Sequence, residues 1–166
     1  MSTAVAAPGK GLIWAAVGPA AVGLALGLTR AEGPGLLAAA LLPAVVGGVL
    51  ALTSPALYIT AAFAGVAPEP RVLFGHLHRA LRDGGLIMAG LAPGLLFLAA
   101  TTRTDGVAVF LGMATVALGA LVGLRLLFGR LFAGDPEDGR GLALFVPWAL
   151  VSLGIGAFML RAVLLG

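Results

Sequence analysis

The residues best suited to chemistry in this chain sit in one short polar segment, HRALRD, at residues 78–83. His78 and Asp83 stand in an H-x-x-x-x-D arrangement. A histidine can take a proton from an alcohol while an aspartate orients the imidazole. Acyl transfer to that alcohol would also need a sizeable domain to bind an acyl donor, and the short segment between two apolar runs cannot supply it. The pair therefore reads as part of a polar helix surface. His76 and His78 are two residues apart, so on a helix they point in widely different directions and cannot jointly grip a metal or haem. The chain has no cysteine, which removes disulfides, zinc–thiolate sites and iron–sulfur clusters from consideration. The centres of the long apolar runs carry no Asp, Glu, His or Lys. Intramembrane charges usually mark ion and proton pathways, so their absence argues against a pump, a proton-coupled transporter or a haem subunit. The expectation is no catalytic centre, no cofactor and no metal.

A second unusual stretch is LTSPALYITAAFAG, residues 52–65. It places Thr53, Ser54, Pro55 and Tyr58, the only tyrosine, inside an apolar run. Pro55 removes a backbone donor and crowds the carbonyl four residues earlier, so it should bend a helix. Neighbouring hydroxyls can satisfy the freed groups, and Thr53 and Ser54 are placed to do so. Tyr58 suits the head-group belt or a bond to a neighbouring helix. A structural kink with an interfacial anchor explains these residues more simply than a ligand site.

The elements that must hold these residues follow from composition. Hydrophobic residues make up 60% of the chain and charged residues 10%, against about a quarter charged in soluble domains. Mean hydropathy is +1.10. Five apolar runs are visible, at about 12–28, 36–66, 86–101, 107–124 and 141–165. In lipid every backbone polar group needs an internal partner, so the runs should be α-helices. The fold class expected is all-α: a polytopic transmembrane helical bundle of about five spans, forming one membrane domain over residues 1–166. The third run is short and can borrow Gly84 and Gly85 or Thr101 and Thr102. The second is longer than a straight crossing needs. The first follows Lys10 and ends near Ala31, as a signal peptide would, but Arg30 beside Ala31 favours a retained span.

Residues 70–83 place Leu73, Phe74, Leu77 and Leu81 on one helical face, with Arg71, His78 and Arg82 opposite. Arg79 can pair with Asp83 four residues on. These features predict a short amphipathic helix lying at the cytoplasmic interface, its arginines near anionic lipid. Small residues recur at packing spacing: Thr115, Gly119 and Gly123 in the fourth run, Gly23 and Gly27 in the first, Gly90 and Gly94 in the third. Each pattern permits close helix contact, within the chain or in a homo-oligomer.

The run SPALYITAAFAG, then Leu91-Ala92-Pro93 with Leu96-Phe97, then Val122-Gly123-Leu124, resembles a bacterial family related to Yip1 membrane proteins, over about residues 36–130. That resemblance implies a non-enzymatic role in membrane organisation or in scaffolding other membrane proteins. An accessory subunit of a larger membrane complex is the next reading. A small transporter or lipid-handling protein, suggested by Pro19, Pro43, Pro55, Pro93 and Pro147, is the third. The expected partners are the lipid bilayer and other membrane proteins. The net charge of +3 is small and spread among loops, so nucleic-acid binding is not expected.

Lys10, Arg71, Arg79, Arg82, Arg125, Arg130 and Arg140 fall on one alternate side; Arg30, Arg103 and Arg161 fall on the other. The positive-inside rule then places the amino terminus in the cytoplasm and the carboxyl terminus outside a bacterial inner membrane. Reporter fusions that require the cytoplasm should be active after residue 83 and near residue 138, and silent at residue 166. Activity at residue 166 would indicate an even number of spans.

Overall fold

The structure, a computed structural model, describes residues 8–29, 36–63, 65–102, 104–132 and 139–165. Arg30, Arg103 and most of the polar turn at 134–141 lie outside the described residues. Five helices follow one another: α1 (Pro8–Thr29), α2 (Leu37–Phe63), α3 (Pro70–Thr101), α4 (Asp105–Leu131) and α5 (Arg140–Leu165). No strand occurs among the described residues. Helices α2, α3, α4 and α5 are long and apolar enough to cross a membrane. The apolar part of α1, Ile13–Thr29, is shorter, yet α1 lies within the bundle. Its Val22, Ala25 and Leu26 are almost completely buried.

Local chemistry sets the helix ends. Pro8 and Pro70 stand in first turns, where a missing N–H costs nothing. The α2 helix stops in a Schellman arrangement: the N–H of Val66 bonds the Ala61 carbonyl at 3.0 Å and that of Gly65 the Ala62 carbonyl at 3.1 Å. Gly65 carries the positive φ of 73° that this motif demands. At the end of α3 the Thr102 N–H and Oγ1 both donate to the Leu98 carbonyl, at 3.0 and 2.7 Å.

Residues 70–83 are helical, as expected, but they do not form a separate helix. They are the first part of the 32-residue α3, about 48 Å long at 1.5 Å per residue. Leu73 and Leu77 of the apolar stripe are buried inside the bundle, whereas Phe74 of the same stripe is exposed. Nothing breaks the helix at Gly84-Gly85, because both glycines are covered by neighbouring backbone.

Those two glycines organise the packing. A Cβ on Gly85 would lie 2.5 Å from the Trp14 carbonyl oxygen, and one on Gly18 would overlap the Gly85 carbonyl, so α1 and α3 touch backbone to backbone. A Cβ on Gly84 would lie 2.8 Å from the Gly119 carbonyl oxygen; one on Gly123 would lie 3.1 Å from that of Ala80. Gly119 and Gly123 are thus at a close contact with α3, as the small-residue ladder suggested. Gly23 meets the backbone of Ala38 on α2 in the same way. Gly90 and Gly94 do not: a Cβ on either would meet nothing within 4 Å. They face away from the bundle.

The core has two parts. One joins Val22, Leu26, Leu42, Leu95, Val109, Leu160 and Leu164. The other joins Leu57, Leu73, Leu77, Leu127, Phe145 and Trp148. These memberships pair the early parts of α3 and α5 with the late parts of α2 and α4. Helices α1, α3 and α5 therefore run one way and α2 and α4 the other.

Overpacking a tight contact typically costs about 1–3 kcal/mol. Gly119→Leu and Gly84→Leu should each lose stability in that range in a detergent melting experiment. Gly112 is unsuitable as an open control, because a Cβ there would lie 2.5 Å from Leu26 Cδ1. Gly90→Leu and Gly94→Leu should melt like the wild type. Equal losses at all four positions would show that the backbone contacts are not what the glycines are for.

Candidate functional site

The α2 helix continues through both Pro43 and Pro55. Pro55 cannot donate to the Ala51 carbonyl, and the Ser54 hydroxyl lies 3.4 Å from that oxygen, a long bond that partly replaces the missing donor. Thr53 Oγ1 donates to the Val49 carbonyl at 2.9 Å. Sequence reasoning missed the strongest anchor of this stretch. Trp148 Nε1 of α5 donates to the Thr53 carbonyl at 2.7 Å in a buried contact. Tyr58 is half-buried against the aromatic end of the core, and no hydrogen bond of its hydroxyl occurs among the described residues. Helix α2 is continuous through Pro55, and its buried side-chain link to a neighbouring helix is made by Trp148, not by Tyr58.

The arginine-rich end comes next. Arg71, Arg79 and Arg82 are exposed. The expected Arg79–Asp83 pair is not made. Asp83 Oδ1 accepts instead from Arg82 Nε at 3.1 Å and Nη2 at 3.0 Å, while Oδ2 accepts from Arg130 Nη2 at 2.5 Å. The reason is geometric. Side chains lean toward the amino end of their own helix, so on antiparallel α3 and α4 Asp83 and Arg130 lean toward each other. With Asp83 held by two guanidinium groups and no hydrogen bond joining it to His78 among the described residues, the structure does not assemble an alcohol-deprotonating pair. No group of three or more His, Cys, Asp or Glu side chains suited to a metal occurs among the described residues.

What the structure adds is a cavity of about 500 Å³. It lies between the two parts of the core, touched by all five helices. Its wall includes Val46 and Val49 of α2, Met88 of α3, Ala117 and Leu121 of α4, and Gly156 of α5. The volume falls in the range of about 300–1,000 Å³ usual for small-molecule sites. Its origin is in the packing: α5 leans mainly on α2 and only lightly on α4. Trp148 stacks in a chain of rings with Phe145, Phe128 and Phe132 at centroid distances of 5.2–5.4 Å along the chain. Comparison with protein-family models, with curated proteins and with solved structures finds no match to this chain.

Losing the Trp148 bond while keeping an aromatic ring should cost about 1–2 kcal/mol. Trp148→Phe is therefore expected to lower the melting temperature clearly, and Tyr58→Phe hardly at all. The reverse order would show that Tyr58 carries the anchor.

Proposed function

We propose that this chain is a non-enzymatic integral membrane protein that holds an apolar molecule of the bilayer, a lipid-handling role. The cavity supports this reading best. An apolar wall of that extent is poorly suited to water, which needs two to four polar partners. The space is open on one side, where the wall residues Phe110 and Leu121 are exposed, so an apolar molecule of the bilayer can enter it. The arginine-rich end, with Arg71, Arg79, Arg82 and Arg125 exposed, faces the cytoplasm of a bacterial inner membrane in this reading, its cations beside anionic lipid. The same exposed cations favour a second reading, the membrane-organising role implied by the Yip1-like resemblance.

Native mass spectrometry and solvent extraction after purification in mild detergent separate the possibilities. The wild type should retain an apolar small molecule. Gly156→Phe should lose it while keeping its abundance and melting temperature, because a Cβ at Gly156 meets nothing within 4 Å and the residue lines the cavity. A lone chain or homo-oligomer that retains nothing would favour the membrane-organising reading. A stable hetero-complex that retains nothing would favour an accessory subunit.

A further inference from the structure

Among the described residues, Ser152 is the only one of the cavity wall with a hydroxyl or charged side chain. It is 5% exposed, and its Oγ is buried with no hydrogen-bond partner. This is not the habit of the chain. Thr29, Thr53, Ser54, Thr60, Thr101 and Thr115 each donate to a carbonyl of the preceding turn. Among the Ser and Thr side chains of the described helices, Ser152 alone does not. An unmet hydroxyl in an apolar setting costs about 1–3 kcal/mol, so a partner inside the cavity gains what water cannot supply.

Its depth narrows the chemistry. Ser152 lies twelve residues into α5, about 18 Å along the axis, between Trp148 of one core cluster and Leu160 of the other. It therefore sits near the middle of a span. A glycerolipid with its head at the interface keeps its ester oxygens near the surface and presents only hydrocarbon at that depth. A carboxylate would be desolvated with no cation in the wall to pair with it.

We propose that the cavity takes a neutral, elongated apolar molecule carrying a carbonyl oxygen that reaches the middle of the bilayer, where Ser152 Oγ donates to it. Resting on the lipid-handling reading, this adds the chemical class of the occupant. Ketones and quinone-like carbonyl compounds belong to the class; phospholipids and fatty acids do not.

The test uses the purified full chain in one detergent at fixed concentration, with three probes of equal carbon number: methyl undecyl ketone, tridecane and tridecanoate. Affinities are measured calorimetrically for wild type, Ser152→Ala and Ser152→Thr. Each probe is compared between variants, so partition into micelles cancels. The ketone should bind wild type about fivefold more tightly than Ser152→Ala, the value of one neutral hydrogen bond. Tridecane should bind both equally. Ser152→Thr should restore part of the preference, and neither variant should melt below the wild type. Equal ketone affinity for wild type and Ser152→Ala overturns the assignment while leaving the cavity reading intact. A loss of tridecanoate affinity in Ser152→Ala as large as that of the ketone overturns the neutral class. Failure of tridecane and the ketone alike to bind wild type overturns the cavity reading itself.

Discussion

Two adjacent glycines in the middle of α3 set the geometry on which the rest of the bundle depends. Successive residues on a helix differ by about 100° in direction. Gly85 therefore faces α1, while Gly84 faces α4. Neither position can hold a side chain, because backbone of the neighbouring helix already occupies the space. In lipid, helix association draws little on the hydrophobic effect and relies on close van der Waals contact. Glycine is what permits that contact, and here it draws α1 and α4 onto α3 at one level of the bundle.

Tight packing on one side leaves room on the other. Helices α1, α3 and α4 approach backbone to backbone, while α5 is held by α2 through the Trp148–Thr53 bond and by the ring chain through Phe145. The space between these two groups is the cavity. Its wall is rich in Ala, Val, Gly and Leu because those residues face a neighbour too distant to fill the gap. Pro55 contributes indirectly, since it changes the hydrogen bonding of α2 just where α5 is anchored.

The charges obey a separate constraint. Asp83 is the acidic side chain in the described part of α3 that carries the link to α4, and it is held between Arg82 and Arg130. A half-buried carboxylate needs such partners. Its pairing across helices, beside the Gly84 contact, ties the polar end of α3 to α4 and helps to keep residues 70–101 a single helix. Arg71 and Arg79 take no part in that link.

Much of the fold was legible from the sequence. The five runs and their helical character followed from composition and spacing, because lipid forces each backbone group to bond within its own segment. The Gly119–Gly123 ladder was legible for the same kind of local reason. The sequence could not distinguish it from Gly90–Gly94, since both have the same spacing and only a facing helix tells them apart. Nor could it choose Arg130 over Arg79 as the partner of Asp83, or find the Trp148–Thr53 bond, because those pairs join distant segments. Ser152 was visible as a lone hydroxyl in an apolar run, with Gly156 one turn beyond, but nothing in that pattern distinguishes it from a serine bonded to its own helix. The cavity is a property of the distances between helices. Those distances depend on which small residues meet, and that is decided only when the whole bundle packs.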